Sequence, residues 1–224
     1  MKTLDLTHTM HKDMPVFPGT EGPLFRSANT IENDGFLETL LTLYSHTGTH
    51  LDAPAHMLPG GRFLDEFDTD SFVGRGLVVD IRTPPSPVGP EIFLRLGPTL
   101  EKSDFLLLLT GWSRFWNTEK YFHGFPSLST TAAEYLISLP LQGIGVDAIS
   151  IDEAESKDFP IHHVFLRKDI VIIENLTNLN ALLDTDFVFS CLPLKYRRAD
   201  GSPVRAVAFP KDRAAAESVN MVET

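Results

Sequence analysis

A chain of 224 residues, 42% of them hydrophobic, is long enough for one large domain or two small ones, and no long segment is so poor in apolar residues that it must stay disordered. The formal net charge of −11 makes nucleic acid and anionic membrane poor partners, and the one short basic cluster, Lys195-Tyr196-Arg197-Arg198, reads as a solvated loop. Cys191 is the single cysteine, so an intramolecular disulfide is excluded. Met1 to Met14 has no signal-like apolar stretch, and the longest strongly apolar run, Phe105 to Leu109, is too short to span a bilayer; the expectation is a soluble, cytoplasmic protein.

In chain order, Leu4 to Thr7 reads as a short strand. Pro15-Val16-Phe17-Pro18-Gly19 is a proline-bracketed loop carrying an aromatic ring. Phe36 to Tyr44, rich in Leu and Thr, reads as a strand that delivers the stretch after it. Leu77 to Ile81 and Phe105 to Thr110 are continuous apolar runs and predict buried strands. Between them, Pro84 to Pro90 is a proline-rich connection, and Glu91 to Leu96 predicts a short helix. Trp112 to Phe122 is expected to be partly helical. Thr131 to Glu134 has capping-box spacing, and Ala132, Ala133, Leu136 and Ile137 form one stripe, predicting a helix to about Leu139.

Ile144 to Asp147 reads as a strand end, Ile161 to Leu166 as a short helical turn, and Ile170 to Ile173 as a β-branched strand with Glu174 at its end. Phe187 to Leu192 and Val204 to Phe209 predict strands around an Asp200-Gly201-Ser202 turn, and the chain from Asp212 onward reads as a polar tail. Strands outnumber helices and short loops join them. The prediction is a single mixed α/β domain over residues 1–224, with a curved or barrel-like sheet flanked by helices and not a doubly wound arrangement. Nucleotide-phosphate fingerprints and a Gly-x-Ser-x-Gly elbow are missing from the sequence, and Cys191 lies in apolar context as a packing residue.

The chemistry concentrates in Ser45 to His56, where His46, His50, Asp52 and His56 fall within eleven residues. All four share one parity, so an extended backbone would turn them to one side. Imidazole and carboxylate together suit zinc, and also manganese or iron. A straight strand would separate His46 from His56 by roughly 33 Å, so the chain must curl, and Gly48 and Pro54 provide the means. Helical pairing of His46 with His50 is opposed by the same two residues. Farther along, His162, His163 and Glu174 are candidates for the same cluster. A glutamate ending an apolar strand is costly unless paired or coordinating. Asp147, Asp152 and Arg205 read as structural, and His8, His11 and His123 as surface or supporting groups.

His46-x-Gly48-Thr49-His50-x-Asp52-Ala53-Pro54-x-His56 resembles the H-x-G-T-H-x-D-A-P-x-H signature of the metal-dependent cyclase family, which includes bacterial kynurenine formamidase (arylformamidase) and isatin hydrolase. Phe159-Pro160-Ile161-His162 and Ile173-Glu174-Asn175-Leu176 are similar to the segments that supply that family's remaining ligands. The resemblance covers nearly the whole chain. It implies a swivelling β/β/α fold and a metal-dependent hydrolase of amide C–N bonds, with N-formylkynurenine hydrolysis as precedent. Opening of an isatin-like lactam and a non-catalytic metal-binding protein stand as alternatives. By the same resemblance, His46, His50 and Asp52 hold one divalent ion and Asp52, His162 and Glu174 a second, zinc first and manganese next. Phe17, where the family usually carries tryptophan, borders an aromatic amide substrate, and the protein is a homodimer or larger. His56, beyond Pro54, is assigned as proton shuttle, with a ligand or a structural role as its alternative.

Overall fold

The computed structural model describes residues 3–83 and 86–211; the tail expected from Asp212 onward lies outside them. The strands are β1 (Leu4–Asp5), β2 (Leu24–Asn29), β3 (Glu38–Thr42), β4 (His50–Asp52), β5 (Val73–Asp80), β6 (Phe105–Leu109), β7 (Gly143–Val146), β8 (Val171–Glu174), β9 (Phe187–Ser190), β10 (Gly201–Pro203) and β11 (Val207–Pro210). Nine of them form one sheet in the order β1-β11-β9-β5-β6-β7-β8-β4-β10. The centre, β5 to β8, is parallel. Both flanks are antiparallel, with β9, β11 and β1 on one side and β4 and β10 on the other.

The apolar runs follow from this placement. All five residues of β6 are buried, because the strand is covered on both faces. Leu106 and Leu108 join one core with Ile144, Val146, Ile172 and the helices Thr130–Leu136 and Pro160–Leu166. Phe105, Leu107 and Leu109 face the other way, into a second core with Ile173, Phe187 and Phe189. That second core also gathers Leu6 and Ala208 from one end of the sheet and Leu51 and Ala53 from the other. A sheet whose two ends share one core is curled, as the sequence predicts, and a bridge between Thr7 and Leu176 helps hold the curl.

β4 sits between β8 and β10 in fixed register, with His50 opposite Glu174 and Asp52 opposite Gly201. Leu51 enters the core, so His50 and Asp52 turn outward together.

Several expectations need correction. The strand expected at Phe36 to Tyr44 exists as β3, but it does not deliver the site as part of the main sheet. It pairs only with β2, which the sequence reading missed, in a separate two-stranded ribbon. Every residue of that ribbon's strands is exposed except the half-buried Asn29. Gly201 to Pro203 is a strand and not a turn, because β10 pairs along β4. The predicted helix begins earlier and ends sooner, at Thr130–Leu136, with Ser129 as its N-cap accepting from Ala132 N. Cys191 is fully buried, as expected of a packing residue. No helix among the described residues is long and apolar enough to cross a membrane.

Candidate metal centre

Three local structures bring the candidates together. His46 precedes a turn in which Gly48 adopts φ 66°, a conformation glycine takes without penalty. His50 and Asp52 lie on β4, and His56 ends the short 3₁₀ turn Pro54–His56. The chain therefore curls at Gly48 and Pro54, where the sequence placed the bends. His162 comes from the helix Pro160–Leu166 and Glu174 from the end of β8. Of the adjacent histidines, His162 enters the site, while His163 is half-buried with an unpartnered Nδ1.

At the middle are two buried carboxylates, Asp52 and Glu174, at 1 and 6% exposure. Ligand atoms of His50, Asp52 and Glu174 all lie within 4.8 Å of one another. Like charges at that separation repel by roughly 3–4 kcal/mol at an effective dielectric constant of ~20. The arrangement therefore requires positive charge between them.

The histidines are oriented to share it. His50 Nδ1 lies 2.8 Å from Gly48 O, a pure acceptor, so Nδ1 carries the proton. His50 Nε2 then faces Asp52 Oδ1 at 3.2 Å and Glu174 Oε2 at 3.7 Å. His162 Nδ1 is held by Asp152 Oδ2 at 2.6 Å, and its Nε2 faces Glu174 Oε1 at 3.2 Å and Asp52 Oδ2 at 3.6 Å. His46 Nε2 meets Asp200 Oδ2 at 3.2 Å and its Nδ1 meets Asp52 Oδ1 at 2.6 Å. Each ring has one nitrogen tied to a supporting acceptor and the other aimed at the carboxylates, the arrangement in which outer acceptors orient metal-binding imidazoles. Gly201 makes room for it, since a Cβ there would come within 2.4 Å of the His46 ring.

Without an ion, protons must supply the missing charge. Burial alone would lower the His46 pKa, but Asp52 and then Asp200 outweigh it and raise it to about 9. Burial likewise opposes charge on His162, yet its hydrogen bond to Asp152 and the nearby Asp52 and Glu174 hold it well above the ordinary imidazole value. Burial would raise the Asp52 pKa, but the charges of His50 and His46 bring it well below the usual carboxylate range. The donor set fits a divalent cation on a further observation: Asp52 Oδ2 is buried and has no hydrogen-bond partner.

His56 is exposed, with its ring on that of His46 at 3.9 Å between centroids and 6.5 Å from that of His162. Ligand atoms of His46, Asp52 and His56 also fall within 4.8 Å of one another, so both of its expected roles are within reach. The site opens into a cavity of about 410 Å³, whose walls include Phe17, Tyr44, Met57, Ile149 and Phe159. Phe17 stands 6.3 Å from Phe159, centroid to centroid.

Sequence reasoning missed the supporting groups. Asp152 does more than the structural role expected of it: it accepts from Ile161 N and His162 N as well as from the His162 ring. Asp200, expected in a turn, holds His46. Neither carries a local signal, because the partner is 10 residues away in one case and 154 in the other. Asp147 does behave as expected, buried and accepting from Thr110 and Gly111. His8 stacks on Trp116 at 4.0 Å, apart from the carboxylates.

The Cyclase family model, described as "Putative cyclase", matches residues 4–153, which include the whole stretch from His46 to His56. The chain is 32% identical over 214 residues to a kynurenine formamidase of Bacillus mycoides (strain KBAB4), covering 94% of this chain and 100% of that protein. It is 31% identical over 208 residues to one of Bacillus cytotoxicus, covering 92% and 97%. Among solved structures, an isatin hydrolase bound to the product analogue thioisatinate shares the fold, with a TM-score of 0.83 at 23% identity over 93% of this chain and 92% of that one. A potential metal-dependent hydrolase with cyclase activity has a TM-score of 0.78 at 26% identity over 94% and 98%. With a family model spanning the histidine stretch and relatives matched almost end to end, the chain belongs to the cyclase family.

Proposed function

We propose that this protein is a metal-dependent hydrolase of amide C–N bonds acting on an aryl formamide, with N-formylkynurenine, giving kynurenine and formate, as the preferred substrate. The observation that carries the reading is the pair of buried carboxylates whose four oxygens each face a histidine nitrogen. Kynurenine formamidases similar over nearly the full length support the choice of substrate.

His46, His50 and Asp52 would hold one ion, and Asp52, His162 and Glu174 a second; zinc is the first choice and manganese the next. When bound, such an ion acts as a Lewis acid and brings the pKa of its water from 15.7 towards ~7. The chain's own residues do the rest. Phe17, Phe159 and Met57 give the cavity an apolar wall against which an aryl ring packs and excludes water. Asp152, Asp200 and Gly48 O hold the three imidazoles in place. His56, exposed at the cavity, is positioned to pass a proton between water and the departing amine.

Metal-loaded protein, offered aryl formamides and cyclic amides side by side, is expected to hydrolyse the formamides and to stop when a chelator removes the ion. Turnover of cyclic amides alone would move the substrate to a lactam. Bound ion with no turnover of either class would leave a binding protein.

We also propose that the protein works as a homodimer or larger homo-oligomer. Leu24, Ile31, Phe36, Leu37, Leu40 and Leu41 crowd the β2–β3 ribbon and its turn, all exposed. A two-stranded ribbon is marginal in water unless something packs against it. Light scattering at micromolar concentration is expected to return at least twice the chain mass, and a monomer mass rejects the proposal.

A further inference from the structure

Asn175 follows Glu174 at the end of β8, with φ 57°. It is buried at 5% exposure, and both ends of its side-chain amide are engaged. Nδ2 donates to Gly48 O at 2.9 Å, and Oδ1 accepts from the Tyr121 hydroxyl at 2.8 Å. The reverse amide orientation would set Oδ1 against a carbonyl oxygen, so Gly48 O fixes which way the amide lies. Gly48 O is also the acceptor for His50 Nδ1. The backbone of Asn175 ties in the same turn, because its carbonyl accepts from Thr49 Oγ1 at 2.6 Å and its N–H donates to Ala148 O at 2.9 Å. Tyr121 is fully buried, and its hydroxyl has Asn175 as partner.

We propose that Tyr121 and Asn175 are a pair of positioning residues: Tyr121 locks the Asn175 amide, the amide locks the Gly48 carbonyl, and that carbonyl holds His50 with Nε2 facing the carboxylates. The inference rests on the reading of this cluster as an ion site. Its physical basis is the cost of breaking the chain at either link. Without the phenol, Asn175 Oδ1 is a buried acceptor with no donor, and the amide loses the contact that holds it in place against Gly48 O. Gly48 O and the His50 ring then lose their fixed geometry. Losing a partner that orients a ligand typically costs about 10–100-fold in metal affinity.

The test is a competition titration of Zn²⁺ against a chromogenic chelator, with wild type, Tyr121→Phe, Asn175→Gly and the double variant. Tyr121→Phe removes one oxygen and keeps the ring. Asn175→Gly removes the amide and keeps a residue that tolerates φ 57° and retains the backbone bonds to Thr49 and Ala148. Each single variant is expected to bind Zn²⁺ roughly 10–100-fold more weakly. The double variant should be no worse than Asn175→Gly, since Tyr121 acts only through the amide. Full additivity would show two independent effects and overturn the pair. Tyr121→Phe binding as tightly as wild type, even with a lowered melting temperature, would make the tyrosine structural and overturn the proposal by itself, whether or not Asn175→Gly folds. Wild-type protein that takes up no Zn²⁺ would overturn this proposal together with the ion site; wild-type binding with unchanged variants would overturn this proposal alone.

Discussion

Asp52→Asn is expected to leave a folded protein that has lost its ions and, with them, its activity. Asparagine matches the volume of aspartate, and Asp52 packs in a strand pinned on both sides by β8 and β10, so the fold should survive. The charge does not survive. Asp52 is the one residue whose oxygens face His46, His50 and His162 together, and in asparagine one of those oxygens becomes an amide nitrogen with nothing to offer a cation. Losing a supporting partner already costs about 10–100-fold in metal affinity, so losing this group should cost more than ~100-fold. Chelator competition and elemental analysis would measure it. Retention of wild-type ion content would remove Asp52 from the site.

The same substitution bears on pH. With Asp52 and Asp200 as partners, His46 has a folded-state pKa of about 9, above the ordinary 6.5. A raised imidazole pKa stabilises the ion-free fold fully below pH 6.5, and that contribution is lost as pH rises through about 9. The melting temperature of ion-free protein should therefore fall across this window. The gain on adding Zn²⁺ should grow over the same range, because fewer protons compete for the nitrogens. In Asp52→Asn, His46 loses its first partner and both trends should flatten. A Zn²⁺-induced gain that does not change between pH 6.5 and 9 would contradict this exchange of protons for ion.

His56→Ala is expected to keep its ions and bind substrate yet lose about 10²–10⁴-fold in kcat, the usual worth of general acid–base catalysis. An arylamine leaves poorly unless it is protonated as the C–N bond breaks. The group that protonates it must face the cavity; His56, His50 and His162 all line it, but His50 and His162 are buried with both nitrogens occupied, whereas His56 is exposed. In the ion-free site burial lowers the His56 pKa to about 4, so the ring is neutral at pH 7 and free to take a proton from water, and its protonated form gives that proton up readily to the departing amine. The loss should fall on kcat more than on KM, because the proton moves in the transition state. Metal content measured beside kcat separates the alternatives. Ions lost along with activity would make His56 a ligand of the His46–Asp52 group, and near-wild-type kcat would make it structural.

What was legible in the sequence was what is local. The runs at Phe105 and Ile170 gave strands because a strand covered on both faces needs apolar residues at every position. Gly48 and Pro54 marked the bends that bring four polar side chains of one parity into reach of one another. What escaped depends on pairing across the chain. The β2–β3 ribbon escaped because Leu24–Asn29 has neither a continuous apolar run nor clean alternation, and packing against the main sheet does not impose one. Gly201 looked like a turn because its role is to be small under His46, a partner 155 positions earlier. The supporting acceptors, Asp152 and Asp200, carry ordinary turn composition and acquire meaning only when the curled sheet and the helix Pro160–Leu166 are in place.

The register of β4 ties the integrity of the site to that of the core. Strand residues alternate in facing, so a slip of β4 by one position against β8 would carry His50 and Asp52 inward and push Leu51 out. Two charged or polar groups would then be buried without partners, an apolar side chain would be exposed, and the pairing of His50 with Glu174 would be gone, all at once. A register error damages the site and the core together. A population of molecules that are well folded but miswired is therefore selected against by the sheet itself, and each correctly packed chain arrives with His50 and Asp52 already in register with Glu174.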